Sequence, residues 1–275
     1  MRDENYLIIA HYHSKGLLRS DILKLLNQQK NKFSKIYLIS TNLKKKEIRK
    51  VPKDIFVKTR VNKGYDFLSW KEGIKKFLEK NKNNLDKKFI FLLNSSYYFY
   101  DNKKLFQKIF QFKNKNKNRN KVWSLSKSYE MSEHLQSGFY CFPAKFFSIP
   151  RFYKWWKDIK SFKDRQVIVM KYELGFSNFL IKNNFNIDCI FKENLVLRPN
   201  TFWKKINQKF KDIFWKEPKL YKKNPTHYFW KSYLKNFGII KIELIKKNPI
   251  NTDLSYLKIL DRKTNFKLLK ESQNN

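Results

Sequence analysis

Apolar residues along the chain alternate between short continuous runs and stretches in which they recur every three or four positions. Runs of strand length occur at 6–10 (YLIIA), 33–40 (FSKIYLIS), 54–58 and 88–93 (KFIFLL), then near 121–126, 135–142 and 187–191. Between them, residues 17–30 put Leu18, Ile22, Leu25 and Leu26 on one helical face, and Trp70–Leu78 repeats at helical spacing. Further helices are predicted at 102–112, at 152–160, where Trp155 and Trp156 read as core, and at 164–182. Strand and helix alternate four times at the start, which predicts an α/β fold with a mainly parallel central sheet covered on both faces. The run Asp54–Val57 reads as a buried strand, and the polar tract 113–121 as a solvated loop.

The stretch NKGYDFLSW at 62–70 falls where the third strand hands over to a helix. In an open α/β sheet that is the carboxyl edge, where ligands bind. Gly64 permits a turn that a Cβ would resist. Asp66 fits either a helix N-cap or, with Asn62 and Tyr65, the wall of a sugar-nucleotide pocket. The other strand ends carry polar or ring residues too: His11 and His13, Thr41 and Asn42, and the triplet Asn94-Ser95-Ser96. Such a set suits a nucleotide site, although loops are polar in any case. Glu130, Glu133, His134 and Gln136 gather in an otherwise acid-poor region, and Glu173 is the only acid between Asp164 and Asp188.

Charge widens the choice of partners. The formal net charge is +38, with 41% hydrophobic and 17% aromatic residues, enough to fill a core. Such a charge suits nucleic acid or an anionic membrane surface. The lysines are dispersed, with Asn, Ile and Phe over-used alongside them, so part of the excess reads as compositional bias. No nucleic-acid motif appears, and no nucleic-acid partner is expected. Cys141 and Cys189 fit neither a zinc spacing nor a disulfide framework, which points to a reducing compartment. The N-terminal apolar run is too short for a secretory segment, and no run approaches the roughly 18 apolar residues needed to span a bilayer. A cytoplasmic protein is expected, peripheral at the inner face of the plasma membrane if it touches a membrane at all. Residues 202–216 read as a basic helix with an aromatic face, which suits docking on the domain somewhat better than an in-plane membrane anchor. Residues 224–238 read as a Pro-started helix ending at Gly238, with His227 in its capping turn.

Five segments carry a resemblance. NKGYDFLSW (62–70), FIFLLNSSYY (89–98), SLSKSYEMSEHLQSGFYCF (124–142), KYELGFSNFL (171–180) and NPTHYFWKSYLKNFG (224–238), in that order, resemble the rhamnan synthesis protein F family. The resemblance runs from about residue 5 to about 250. It implies a GT-A-like nucleotide-binding domain over 1–197 and a helical C-terminal extension over 198–275, on the acceptor or membrane-surface side. It also implies glycosyl transfer, of rhamnose or a related deoxysugar, from a nucleoside-diphosphate donor to a glycan or lipid-linked glycan of the cell surface.

On that resemblance His11, Thr41, Asn62, Gly64, Tyr65 and Asp66 would hold the nucleotide. Asn94-Ser95-Ser96 would stand where this fold carries its acidic metal-binding motif. The acid is missing, and amides and hydroxyls alone are poor ligands for Mg²⁺ or Mn²⁺. Either Asp66 or Asp101 supplies the carboxylate, or cationic side chains and helix N-termini neutralise the diphosphate without metal. Inverting transfer needs one group to accept the proton of the attacking hydroxyl. Glu173 is the first candidate; His134, with Glu133 and Gln136, is the second, for base or acceptor binding. A non-catalytic, glycan-binding member of the family is the alternative, and a basic nucleic-acid-binding protein a weaker one.

Overall fold

A computed structural model describes residues 3–115, 120–162, 164–192 and 224–257. The predicted 202–216 helix, and with it the candidate membrane face, lies outside the described residues. Among the described residues no helix is long and apolar enough to cross a membrane.

The first half is built from β1 (Glu4–Tyr12), α1 (Ser20–Gln29), β2 (Lys35–Thr41), a single turn α2 (Lys45–Ile48), β3 (Phe56–Arg60), α3 (Tyr65–Asn81) and β4 (Lys88–Asn94). There follow β5 (Tyr97–Phe99), α4 (Asn102–Asn114), β6 (Lys121–Ser124), β7 (Lys127–Ser128), β8 (His134–Leu135) and β9 (Phe139–Pro143). Next come α5 (Pro150–Lys157), α6 (Arg165–Ile168), a π-helical turn Val169–Leu174, α7 (Gly175–Lys182) and β10 (Asn186–Cys189). After the undescribed stretch, a single turn Pro225–Tyr228 leads to α8 (Trp230–Phe237), β11 (Ile239–Lys241) and α9 (Ile242–Lys247).

Seven strands make the main sheet, in the order β10-β6-β9-β4-β1-β2-β3. Neighbours are parallel except around β9, which runs antiparallel to β4 and β6. This is the helix-flanked, mainly parallel α/β sheet expected from the sequence. Alternation along β1 explains the two cores. Leu7 and Ile9 face α1 and α4 in one apolar cluster, and Ile8 and Ala10 face α3 and α7 in the other.

Two expectations need correction. The third strand is not buried: it closes the sheet edge with one neighbour, so only Phe56, Val57 and Arg60 are partly covered and Lys58 and Thr59 face solvent. The run 135–142 is not one strand. It splits at Gln136-Ser137-Gly138 into β8, which pairs with β7, and β9, which enters the main sheet.

Gly73 sets the distance between α3 and the sheet. A Cβ there would lie 2.3 Å from Ile8 Cγ2. Overpacking of this kind costs about 1–3 kcal/mol, more than the ~1 kcal/mol that alanine gains over glycine in a helix. Gly73→Ala is therefore expected to lower the denaturation midpoint; a raised midpoint would mean α3 can ride outward at no cost.

The C-terminal residues close over the carboxyl edge. β11 pairs antiparallel with β5, Lys241 opposite Tyr97. Ile240, Leu244, Trp230 and Leu257 bury Tyr98 and Tyr100 beneath them. Asn224 joins the same edge, its Oδ1 accepting hydrogen bonds from Thr226 N–H and Gln136 Nε2.

Candidate functional site

The reversal of β9 builds the site. Because β9 runs against β4, the residues that approach it, Gln136-Ser137-Gly138, arrive at the edge where β4 ends in Asn94. Asn94 N–H donates to Gly138 O at 3.2 Å. The Asn94 side chain then joins three elements. Its Nδ2 donates to Asp66 Oδ2 at 2.7 Å and to Ser137 O at 3.1 Å, and its Oδ1 accepts from Ser96 N–H and Ser96 Oγ. The peptide of Ser137 carries the connection onward, since its N–H donates to Glu173 Oε1 at 2.9 Å. Asp66 and Glu173 are thus joined through one amide side chain and one backbone residue. That is a rigid way to hold two carboxylates at one edge of the sheet, because each link is a hydrogen bond between groups fixed by secondary structure.

Asp66 is not the N-cap of α3. Gly64 takes that position in the left-handed region at φ +73°, and Asp66 sits in the first turn with its side chain turned toward β4. The loop before it is tied down by Arg60. The guanidinium donates to Ser69 Oγ at 2.8 Å and to the carbonyls of Val61, Lys63 and Tyr65. Burial raises the Asp66 carboxyl to a pKa of about 6, and the charge on Glu173 adds to the rise. Lys241, the Asn94 hydrogen bond and Arg60 oppose it. Tyr65 and Asn62 stand exposed at the rim.

Glu173 is half-buried in the π-helical turn Val169–Leu174. Such turns are rare inside α-helical segments and recur at functional sites, because the extra residue re-aims a side chain. Gln136 is buried. Its Oε1 accepts from Ser126 Oγ at 2.7 Å and its Nε2 reaches Asn224. His134 is also buried, with Nδ1 2.8 Å from Ser132 O.

Other candidates fall elsewhere. His11 is 1% exposed and lies inside the α1 face of the sheet, with Nδ1 2.7 Å from Ser40 Oγ. Burial, then the charges of Arg19 and His13, lower its pKa to about 3, so it is neutral. His11 therefore backs the site rather than lining it. Thr41 is buried on the opposite face, and its Oγ1 has no hydrogen-bond partner among the described residues. Asp101 caps α4 by accepting from Lys104 N–H at 3.0 Å, and it lines a separate lysine-rich cleft with Lys24, Lys103 and Lys235.

Four residues of this edge carry no mark in the sequence. Ser137 acts through its backbone, which no side-chain pattern reports. Lys241 donates to Ser96 Oγ at 3.0 Å and lies 4.7 Å from the Tyr97 ring centroid; among 61 Lys and Arg residues nothing in the sequence marks it. Arg19 and Asp21, at the start of α1, form a buried pair beneath the triplet. Arg19 donates to the carbonyls of Ser95 and Tyr97, each at 2.6 Å.

The sequence profile described as Rhamnan synthesis protein F matches residues 8–217. A comparison with curated proteins gives no match. Among solved structures, similarity is found to a mannose-1-phosphate geranyltransferase from Thermus thermophilus, at 10% identity and TM-score 0.38, over 56% of this chain and 63% of that one. A 4-diphosphocytidyl-2C-methyl-D-erythritol synthase is similar at 12% identity and TM-score 0.38, over 64% of this chain and 86% of the other. A galactosyltransferase in complex with donor and acceptor sugar analogues is similar at 9% identity and TM-score 0.33, over 62% and 71%. The aligned region thus spans less than two thirds of the first of these chains.

Proposed function

The chain belongs to the rhamnan synthesis protein F family, and from that premise we propose that it is an inverting glycosyltransferase. It would move a sugar, rhamnose or a related deoxysugar, from a nucleoside-diphosphate donor to a hydroxyl of a growing cell-surface polysaccharide. The observation that supports this reading most is the bridge from Asp66 through Asn94 and Ser137 to Glu173, at the edge where an α/β sheet receives its ligands.

In this reading Glu173 takes the proton of the acceptor hydroxyl. The acceptor oxygen bonds to the anomeric carbon as the bond from that carbon to the diphosphate oxygen breaks, and the nucleoside diphosphate departs. The Ser137 N–H fixes one carboxylate oxygen of Glu173, which leaves the direction of its other oxygen defined. Asp66 and Asn94 orient the donor sugar. His134 and Gln136 shape the acceptor side.

Glu173→Gln keeps the size and an acceptor for Ser137 N–H but removes the base. It is expected to lower transfer by about 10²- to 10⁴-fold while nucleoside-diphosphate binding stays within about threefold. The measurement is a screen of nucleotide sugars against a lipid-linked acceptor, read by mass spectrometry, with binding followed by calorimetry. Retained transfer in Glu173→Gln removes Glu173 from its role. The triplet's lack of an acid favours a second reading, a non-catalytic glycan-binding member. That reading gains if the unaltered protein binds glycan and turns over no donor.

A further inference from the structure

We propose that Lys241, and not a divalent cation, supplies the positive charge that holds the donor diphosphate, an assignment that rests on the transferase reading above. The first ground is the chemistry of the donor set. A divalent ion beside a diphosphate wants carboxylate oxygens. At this edge Asn94-Ser95-Ser96 offers none, Asp66 and Glu173 offer one carboxylate each and are joined only through Asn94 and Ser137, and Asp101 is engaged as the cap of α4. The oxygens of the triplet are also already committed. Asn94 Oδ1 accepts from Ser96 twice, and Ser96 Oγ accepts from Lys241 Nζ. Among the described residues no three His, Cys, Asp or Glu side chains gather into a metal-ligating group. This set does not fit a resident Mg²⁺ or Mn²⁺.

The second ground is where Lys241 stands. Pairing of β11 with β5 places it opposite Tyr97, one residue past the triplet. Its ammonium lies 4.7 Å from the Tyr97 ring centroid and donates to Ser96 Oγ. That ring in turn is seated on Gly138, where a Cβ would meet it at 2.2 Å. A lysine is normally a mobile point charge; here the strand, the ring and the hydroxyl fix its head group beside the triplet. Lys241 also supplies the largest attractive charge on Asp66. The carboxylates at this edge would repel an incoming diphosphate, and an ammonium beside Asp66 offsets that repulsion.

The nearby Arg19 cannot do the same work. Its guanidinium is buried against Asp21 and two carbonyls, so its charge is already balanced beneath the triplet. Lys241 lies beyond the 8–217 span of the family match, on the C-terminal strand β11 that pairs with β5 at this edge.

The test compares binding of UDP, GDP and dTDP with that of the matching monophosphates, with and without EDTA, for the unaltered protein, Lys241→Met and Lys241→Arg. Methionine keeps an apolar stem over Tyr97. The diphosphate that binds is expected to do so equally with EDTA present. Lys241→Met should weaken it about 10- to 100-fold, with the monophosphate changed by less than about threefold. Lys241→Arg should recover most of the loss, and transfer should follow the same order. Unchanged diphosphate binding in Lys241→Met, or binding that requires added Mg²⁺ or Mn²⁺, overturns the assignment. Should Lys241→Met fail to fold, the EDTA arm and Lys241→Arg still decide it. If the unaltered protein binds none of the three diphosphates, the transferase reading itself falls, which separates the two failures.

Discussion

Asp66→Asn should make the protein more stable at pH 8 and, in the same molecule, remove most of its transfer activity. The carboxyl of Asp66 titrates near 3.8 in an unfolded chain and near 6 in the fold, raised chiefly by burial. Folding therefore disfavours the ionised form. Below about pH 3 both states are largely protonated and the substitution costs or gains little. As pH rises toward 6 the unfolded chain ionises first, so the native protein loses stability, and above 6 the whole penalty is present. The gap between the two values corresponds to about 3 kcal/mol at most. Partial solvent access to a half-buried carboxylate reduces that to about 1–2 kcal/mol. Asparagine keeps an acceptor for Asn94 Nδ2, so the network need not break. Thermal unfolding of both proteins from pH 4 to pH 8 checks the sign: the advantage of Asp66→Asn should open between pH 4 and 6 and then stay level. An advantage that is largest at pH 4, or a loss at pH 8, contradicts the burial argument. The same titration predicts that transfer by the unaltered protein declines as pH falls through about 6, where Asp66 gains a proton that Asn94 Nδ2 cannot accommodate.

A stabilising change at a functional carboxylate is what pre-organisation predicts, and it bears on what could be read from the chain alone. The parallel sheet was legible because its strands are apolar runs and its helices keep their period: YLIIA, KFIFLL and the Leu18–Leu26 face all land in the core. The edge was legible in part, since Asp66, Asn94, Ser96 and, through Ser137, Glu173 meet there. What stayed hidden has two causes. Backbone groups have no letter, so the Ser137 peptide and the re-aiming of Glu173 by a π-helical turn could not be foreseen from residue types. Abundance hides position: a lysine at 241 looks like dozens of others until β11 pairs with β5. His11 misled for a third reason. It sits at the right strand end, but its register beside Ser40 turns it into the α1 face, and a strand end has two faces.

Arg19→Met is expected to be among the most destabilising single changes in the chain, although Arg19 bonds to neither Asp66 nor Glu173. Arg19 and Asp21 have side chains 3% and 0% exposed. The guanidinium grips Asp21 at 2.9 Å and 2.6 Å and donates to the carbonyls of Ser95 and Tyr97, while Asp21 Oδ2 accepts the N–H of Phe99 at 3.0 Å. Removing the arginine alone leaves a buried carboxylate and two carbonyls without their donor. Breaking such a pair costs about 3–5 kcal/mol, against a total of about 5–15 kcal/mol for an ordinary domain. The double variant Arg19→Met/Asp21→Leu removes both charges and should be more stable than Arg19→Met, since the uncompensated charge is gone. It should still bind nucleoside diphosphate poorly, because these bonds are what hold β5, and with it Ser96, Tyr97 and the partner strand of Lys241, at the edge of the sheet. Denaturant titration of the three proteins, followed by diphosphate binding of the double variant, measures the two contributions apart. Arg19→Met within about 1 kcal/mol of the unaltered protein would contradict the burial of that charge. Full binding by the double variant would show that β5 keeps its place without the pair, leaving the pairing with β11 as the element that positions the triplet.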